Sequence, residues 1–498
     1  MEILGYLATA LTPMNLLFTA IGAALGLIVG ALPGLTSPMV IVMLLPLTYT
    51  MDPLPALLML MGIYTATKLG GAFPAIMIRT PGTPAAACTT LDGYPMAQRG
   101  EGGRALGFAI FSSLFGGVVA FLACLLLAPL VATIALRATS ADIALIGLLG
   151  LIMVCMFSKG NIVKGLIGVC AGLLISFVGS DPISGTSRFT FGNHVLLSGI
   201  PFVAALVGMF AIATVLSDLK SIGNSKEKAI EEKMAIKKVE LPSFREFISH
   251  WKAVAIGCFY GVVVGVVPGV GAEASPWLAY ANAKKASKYP EKFGTGVPEG
   301  IIAPETSSNA LTGGAMVPVL TLGIPADGST AIMLGALMLQ GLNPGVTLFR
   351  DHPALTYGMI TGLLTTTLFM FFLAWKLIRL FVVMFKQDRS WIFPFVLVFG
   401  TIGAFASTNT TAPVIMAVLL GLLGYFMQKY DYPVVTLVLA IILGPIIETQ
   451  ARLALLFSRG SWSTFYDTPF RIVLLAIAML AIGSEVYSSF RQKKNTKS

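Results

Sequence analysis

Long apolar runs recur from one end of the chain to the other, separated by short polar loops. A helix of about 20 apolar residues crosses the hydrocarbon core of a bilayer, and several runs have or approach that length. The clearest runs are residues 15–31, 105–136, 162–178, 202–216, 254–267, 357–385 and 470–481. The pattern predicts an all-α polytopic membrane protein with about 11 to 14 hydrophobic spans or half-spans.

The composition supports a membrane protein whose partner is the lipid bilayer. Hydrophobic residues make up 56% of the 498 residues and charged residues 11%, too few to solvate the surface of a soluble protein of this size. The net charge of +10 comes from Lys and Arg in loops and at the C-terminus, so we do not expect nucleic acid binding. No Lys or Arg precedes Lys68, so we expect the first run to be a retained span rather than a cleaved signal.

Charged segments divide the chain. Residues 220–252 interleave basic residues with glutamates and predict a partly helical connector, and residues 491–498 form a short basic tail. Positive charge favours the cytoplasmic side, so the connector and tail are predicted to be cytoplasmic and the N-terminus periplasmic. We therefore expect a first membrane repeat at 1–219 and a second at 253–490.

A repeat across the connector is visible in the glycines and prolines. The matched positions are Gly26, Gly30, Pro33 and Gly34 with Gly261, Gly265, Pro268 and Gly269, then Gly70-Gly71 with Gly313-Gly314, and Pro81 with Pro325. The downstream part of the match contains a one-residue gap. With the N-terminus outside and the connector inside, an odd number of spans separates equivalent points, which predicts repeats inverted across the membrane.

Proline and glycine within apolar runs predict broken helices or re-entrant hairpins. Such breaks free backbone N–H and C=O groups, which must line a buried or wet cavity, and the N-terminus of a half-helix can hold a carboxylate. The predicted substrate-binding residues are Pro33, Gly34, Thr36, Ser37, Lys68, Pro81, Gly82, Thr83, Pro268, Gly269, Asn309, Pro325 and Asp327. Kinks that serve only helix packing are the alternative.

Ionisable residues inside apolar segments are the second indication of a site, because each is costly to insert into a bilayer. They are Lys68, Glu273, Glu305, Asp327 and Glu448. For the coupling ion, the candidates are Glu305, Ser308, Asn309 and Asp327, whose oxygens suit Na⁺, while a lone carboxyl suits H⁺. Lys68 could pair with Asp327 or Glu305, attract an anionic substrate, or extend to the membrane interface.

Other classes of function lack their motifs. The three histidines and five cysteines form no metal-binding spacing, and we expect no metal, no disulfide framework and no cofactor. No Walker-type lysine motif is present, so direct use of ATP is not expected. The remaining alternatives are an uncoupled channel and a membrane enzyme acting on lipid-linked substrates, although the His/Asp/Glu constellation of such an enzyme is missing.

Several sequence blocks resemble the large transmembrane subunit of the tripartite tricarboxylate transporter family, over essentially the full chain. The blocks are residues 30–36, 64–71, 80–85, 91–95 and 104–107 in the first half, and 265–271, 303–305, 313–315, 322–325 and 443–448 in the second. The resemblance implies a binding-protein-dependent secondary transporter in the bacterial inner membrane, a symporter driven by Na⁺ or H⁺ that imports di- or tricarboxylates. It also implies a periplasmic solute-binding protein and a small membrane subunit as partners.

Three departures from the family pattern fall in the predicted site. The run from Tyr64 to Leu69 has fewer glycines than is usual, Ser308 precedes Asn309 where the family has paired asparagines, and Ala326 replaces a glycine. These changes favour a carboxylate other than citrate. A stand-alone carrier or channel for small anions, without a binding protein, is the alternative function.

Overall fold

The computed structural model describes residues 2–32, 35–136, 138–156, 162–219, 239–267, 273–384, 393–480 and 483. Four predicted site residues, Pro33, Gly34, Pro268 and Gly269, lie outside the described residues, as do most of the charged connector and the basic tail.

Helices account for most of the described chain. In chain order they are α1 (Glu2–Ala8), α2 (Pro13–Ala31), α3 (Ser37–Leu44), α4 (Pro53–Ile78), α5 (Thr90–Met96), α6 (Gly102–Ala135), α7 (Ser140–Met156), α8 (Ile162–Ser176), α9 (Phe202–Leu206), α10 (Ala213–Leu219), α11 (Phe244–Ser249), α12 (Trp251–Val266), α13 (Ala274–Ala286), α14 (Glu299–Leu322), α15 (Gly328–Leu339), α16 (Val346–Asp351), α17 (Pro353–Met384), α18 (Phe393–Ala406), α19 (Ala412–Lys429), α20 (Val434–Phe457) and α21 (Pro469–Leu480).

Shorter elements join these helices. There are 3₁₀ segments at Thr9–Leu11, Leu45–Thr50, Pro84–Ala87, His194–Ser198, Pro290–Lys292 and Trp462–Phe465, and π-helical segments at Ala97–Glu101 and Val207–Ile212. In the described residues the strands β1 (Gly179–Ser180) and β2 (Ser187–Arg188) form one antiparallel hairpin, with Gly179 opposite Arg188.

The prediction of an all-α polytopic membrane protein is confirmed. Six helical segments in the described chain are long and apolar enough to cross a bilayer, and further apolar helices are shorter. The six are Pro13–Ala31, Pro53–Ile78, Thr90–Ala135, Pro353–Ile378, Ala412–Lys429 and Val434–Phe457. The predicted breaks are present, since α2 and α12 each end just before a Pro-Gly pair and the next helix begins beyond it.

The chain folds into two compact units, each built from both halves of the sequence. Among the described residues, unit 1 comprises those within Met1–Ala132, Asp218–Val267 and Gly271–Gly400, and unit 2 comprises those within Thr133–Ser217 and Thr401–Ser498. The beginning of each half therefore lies in unit 1 and its end in unit 2. The repeat and its inversion stay predictions.

Two helix pairs form the centre of unit 1, α2 with α4 and α12 with α14. Glycines allow the backbones of each pair to touch: a Cβ added at Gly30 would lie 2.5 Å from the Thr67 carbonyl oxygen, and one added at Gly265 would lie 2.6 Å from that of Leu311. Close backbone approach through small residues is typical of helix packing in membranes.

Helices α4 and α14 are the most enclosed elements of unit 1. Every residue of 55–77 and of 300–321 is buried. Helix α14 is not among the six apolar spans because it carries a run of polar residues from Glu305 to Asn309. Polar residues are costly to bury inside a membrane protein, so this run on α14 is a candidate functional site.

Unit 2 packs α7 and α8 against α20. Glycines again form the close contacts, with Gly168 facing the Thr436 hydroxyl and Gly172 facing the Leu437 carbonyl oxygen. The α19 helix packs on the π-helical segment Val207–Ile212.

Candidate functional site

The ends of α4 and α14 have the same backbone construction. Each helix ends in a residue with left-handed φ, Arg79 at 57° and Gly323 at 66°. The next N–H group bonds back to a proline carbonyl inside the helix, Thr80 to Pro74 at 3.3 Å and Ile324 to Pro318 at 3.2 Å.

These equivalent positions share one register, which extends the repeat seen in the sequence. Pro74 and Pro318 are 244 positions apart, and so are Arg79 and Gly323. Contacts of the packing glycines follow the same register: Gly30 lies against Gly70 and Gly71, and Gly265 lies against Gly314 and Ala315. These contacts make Gly70 equivalent to Gly314, whereas the sequence match had paired Gly70 with Gly313. With this pairing, the one-residue gap between the glycines and the match of Pro81 with Pro325 is no longer needed. The register supports the predicted repeat.

In the first half, the break after α4 is fixed by packing. The Gly82 N–H donates to the Gly71 carbonyl oxygen at 3.1 Å, and a Cβ at Gly82 would lie 1.9 Å from the Gly30 carbonyl oxygen. Thr83 follows with a buried hydroxyl that has no hydrogen-bond partner among the described residues. Gly82 therefore has a structural reason beside its predicted substrate role.

In the second half, Pro325 leads into Asp327, which caps α15. The Asp327 Oδ1 atom accepts from the Thr330 N–H at 2.8 Å, and the Thr330 hydroxyl accepts from the Asp327 N–H at 2.8 Å, a complete capping box. Asp327 is 244 positions after Thr83, so a carboxylate stands where the first half has a hydroxyl.

Tyr64 links Asp327 to Lys68. The Tyr64 hydroxyl donates to Asp327 Oδ2 at 3.0 Å, and the Lys68 ammonium lies over the Tyr64 ring, 5.2 Å from its centroid. Lys68 is 7% exposed, so it is enclosed by protein and does not extend to the surface. Among the described residues, neither Asp327 nor Glu305 comes within ion-pair distance of it.

Glu305 is the centre of a second polar cluster in unit 1. It is 1% exposed, and its two carboxylate oxygens accept from the Thr89 hydroxyl at 2.5 Å and the Ser113 hydroxyl at 3.4 Å. The Asn309 amide donates to Ser113 Oγ at 2.9 Å, and its own oxygen is buried without a partner in the described chain. No basic side chain of the described residues pairs with this carboxylate.

The other predicted residues take less specific positions. Thr36 precedes α3 with extended backbone and no side-chain cap, and Ser37, the first residue of α3, is 5% exposed. Ser308 is buried on α14 one residue from Asn309. Glu448, noted as ionisable, bonds to Arg188 at 2.5 Å and belongs to unit 2.

A family model described as the tripartite tricarboxylate transporter TctA family matches residues 16–439. The chain belongs to this family. The chain is 35% identical over 487 residues, 98% of its own length and 96% of the relative's, to an Agrobacterium vitis protein described as an uncharacterized 52.8 kDa protein in the TAR-I ttuC' 3' region.

A second Agrobacterium vitis protein, described as an uncharacterized protein in the TAR-II ttuC' 3' region, is 33% identical over 235 residues, 47% of this chain and 97% of the relative. No solved structure matches the chain. Membership in the TctA family makes the chain a multi-pass membrane component of a tripartite transport system.

In this TctA-family protein, the structure gives Asp92 a structural role. In the sequence, Asp92 was noted only as part of residues 91–95, one of the blocks that resemble the family. Asp92 accepts hydrogen bonds from the N–H groups of Gly294, Gly296 and Val297 and from the Tyr280 hydroxyl. It anchors the loop that leads into α14. The sequence signal for Asp92 was an aspartate followed by glycine in an apolar context. It could not indicate the role, because the hydrogen-bond partners of Asp92 are about 200 residues away.

Two ion networks in unit 2 were also missed. Arg471 bonds to Asp142 and Asp467, and Arg452 bonds to Asp181 and Glu448. The first network joins the starts of α7 and α21, and the second joins the hairpin to α20. Every carboxylate in them has an arginine partner, so these networks leave no unpaired charge for a ligand.

Proposed function

We propose that this protein is the translocation subunit of a binding-protein-dependent secondary transporter that imports small organic carboxylate anions. Import is driven by a Na⁺ or H⁺ gradient and proceeds by alternating access. Its partners are a periplasmic solute-binding protein and a small membrane subunit, and the complex lies in the bacterial inner membrane. The protein is a symporter component and not an enzyme.

The observation that carries this proposal is the buried Lys68 of unit 1. It has no charged partner among the described residues, and it lies over the ring of Tyr64, whose hydroxyl contacts Asp327 at the helix break. A buried ammonium without a counter-ion is costly, so such a group is retained where an anion binds. The free energy of burying it is recovered when a substrate carboxylate arrives. Lys68 therefore supplies the positive charge of the substrate site.

The Glu305 cluster supports coupling to a cation. The carboxylate of Glu305, the hydroxyls of Thr89 and Ser113 and the free oxygen of Asn309 are hard ligands of the kind that Na⁺ prefers. A carboxyl with no basic partner can also carry a proton. Ser308 and Asp327 remain candidates beside them, and the choice between Na⁺ and H⁺ is left to experiment.

The broken helices support alternating access. Breaks at equivalent places in two halves let a site form between half-helices while the rest of each helix moves as a rigid body. In unit 1 the matched ends of α4 and α14 supply such a pair. Their shared register, with prolines 244 positions apart, is what repeated halves of a transporter produce.

The test is uptake of labelled carboxylates into proteoliposomes that hold this subunit and its small membrane partner. Uptake is compared with and without the binding protein, under imposed Na⁺ or H⁺ gradients, with ionophore-treated vesicles as control. Accumulation above equilibrium that needs one gradient and the binding protein is the expected result, and it names the coupling ion.

Two other outcomes contradict parts of the proposal. Uptake that stops at equilibrium under every gradient contradicts coupling and favours a channel or an uncoupled carrier. Accumulation that does not need the binding protein identifies a stand-alone carrier for small anions.

A further inference from the structure

Two basic side chains are buried in the described part of the chain, Lys68 in unit 1 and Arg471 in unit 2. Arg471 has carboxylate partners in Asp142 and Asp467 and donates further to Thr139 and a backbone carbonyl. Lys68 has no such partner among the described residues. The described residues of unit 1 therefore offer a ligand one buried positive charge.

A negative charge already occupies the neighbouring half-helix. The N-terminus of α15 would be the position for a second substrate carboxylate, but the Asp327 side chain caps it, with Oδ1 accepting from the Thr330 N–H at 2.8 Å and from its hydroxyl at 2.9 Å. In the first half, the equivalent residue is uncharged Thr83. The carboxylate is thus a feature of the second half alone.

The bonding of Asp327 also leaves one acceptor position open. Oδ1 accepts from Thr330, and Oδ2 has the Tyr64 hydroxyl as its one described partner at 3.0 Å. Each carboxylate oxygen can accept two hydrogen bonds. A hydroxyl group on a ligand would complete Oδ2, whereas a second ligand carboxylate would be repelled by it.

Tyr64 places these two charges at one site. Its ring faces the Lys68 ammonium, which lies 5.2 Å from the ring centroid, and its hydroxyl contacts Asp327 Oδ2 at 3.0 Å, so the ammonium and the carboxylate flank the same tyrosine side chain. We propose that the site takes a small acid with one carboxylate, bound by Lys68, and a hydroxyl bound by Asp327, and that Asp327 excludes acids with a second carboxylate. This inference rests on the proposed function and narrows its substrate class.

The test uses lactate and malate, which share a carboxylate and an adjacent hydroxyl and differ by a second carboxylate. Binding to the purified full chain in lipid nanodiscs is measured by calorimetry at pH 7.5 and fixed Na⁺. The wild type is expected to bind lactate at least about tenfold more tightly than malate, a difference of about 1.4 kcal/mol.

The variant D327N removes the charge and keeps a good N-cap residue. It is expected to bring the malate affinity to that of lactate or above, and D327S, a second cap without charge, is expected to do the same. D351N is the matched control, since Asp351 is an exposed aspartate of unit 1, paired with Arg350, and should leave the ratio unchanged. K68M should weaken both acids.

The outcomes separate the two proposals. If the wild type binds malate as tightly as lactate, or if D327N and D327S fold and keep the wild-type ratio, the inference is wrong while carboxylate transport stands. If the wild type binds neither acid and the complete transport system moves no carboxylate under any gradient, the proposed function fails as well.

Discussion

The structure separates candidate residues of unit 1 that have a structural role from those that carry a buried charge without a charged partner in the described chain. Gly82 and Asp92 are fully used by backbone contacts and hydrogen bonds. Lys68 and Glu305 are buried without a charged partner in the described chain. The first group predicts effects on stability, and the second predicts effects on transport.

Replacing Gly82 by alanine tests the packing role. The new Cβ would meet the Gly30 carbonyl oxygen at 1.9 Å, so backbone must shift, and we expect a loss of about 1–3 kcal/mol of stability. The measurement is the melting temperature of the detergent-solubilised protein. G5A is the control, because a Cβ at Gly5 has no neighbour within 4 Å. Equal melting temperatures for the two variants would contradict the packing role.

Replacing Glu305 by glutamine tests the coupling role. Glutamine keeps the shape and one acceptor oxygen but cannot ionise, so we expect accumulation driven by the ion gradient to be lost. Exchange of labelled for unlabelled substrate should continue, because it needs no net cation movement. Both are measured in proteoliposomes, with E246Q as control, since Glu246 is partly exposed and pairs with Arg104. Normal accumulation by E305Q would remove Glu305 from the coupling mechanism.

At the scale of elements, helix ends are where sequence and structure can be compared directly. The ends of α4 and α14 differ in their left-handed residue, Arg79 in one and Gly323 in the other, although the backbone is the same. A non-glycine residue in this conformation costs about 1 kcal/mol. Sequence comparison aligned the prolines but gave no sign that Arg79 occupies a position suited to glycine.

The hairpin of β1 and β2 is predicted to weaken in acid. The N–H groups of Ser184 and Ile183, with Arg452, hold the pKa of Asp181 below its usual range. A lowered pKa means that the stabilisation is complete above the unfolded pKa of about 3.9 and is lost as pH falls below it. Protease cleavage within residues 179–188 should therefore increase below pH 4.

An aspartate-to-asparagine change supplies the control for the hairpin. D181N should cleave at similar rates above and below that pH, with an acid-active protease as the probe. A wild-type cleavage rate that does not change with pH would show that other contacts hold the hairpin.

At the scale of the whole molecule, each half of the chain contributes to both compact units. Residues 202–219 connect the hairpin segment to the charged connector through helical structure. Their 18 residues extend about 27 Å at about 1.5 Å per residue, close to the hydrocarbon thickness of about 30 Å. The hairpin and the connector are therefore predicted on opposite sides of the membrane.

Cysteine labelling in intact cells tests this topology. In a background without the five native cysteines, S184C in the hairpin segment should react with an impermeant maleimide added outside, and S225C in the connector should react only after permeabilisation. The positive-inside rule is the physical reason for the second expectation. The reverse labelling pattern would invert the whole topology, and labelling of both sites from outside would exclude a span between them.

The sequence by itself determined the class of the fold and the positions where helices break. Apolar length and low charge require a bilayer, and proline and glycine end helices through local sterics, so both follow from neighbouring residues. The position of polar residues inside apolar segments also identified the candidate site residues Lys68, Glu305, Asn309 and Asp327. Their insertion into a bilayer is costly, so a functional role was predicted for them.

Only the tertiary structure decided which of these groups meet. Tyr64 joins Lys68 to Asp327, and Thr89 and Ser113 join Glu305, across separations of about 200 residues and more. The structure also showed that Glu448 is paired and that Asp92 anchors a loop. Whether a buried charge is paired depends on distant partners brought together by packing, and no periodicity or spacing in the chain encodes that partnership.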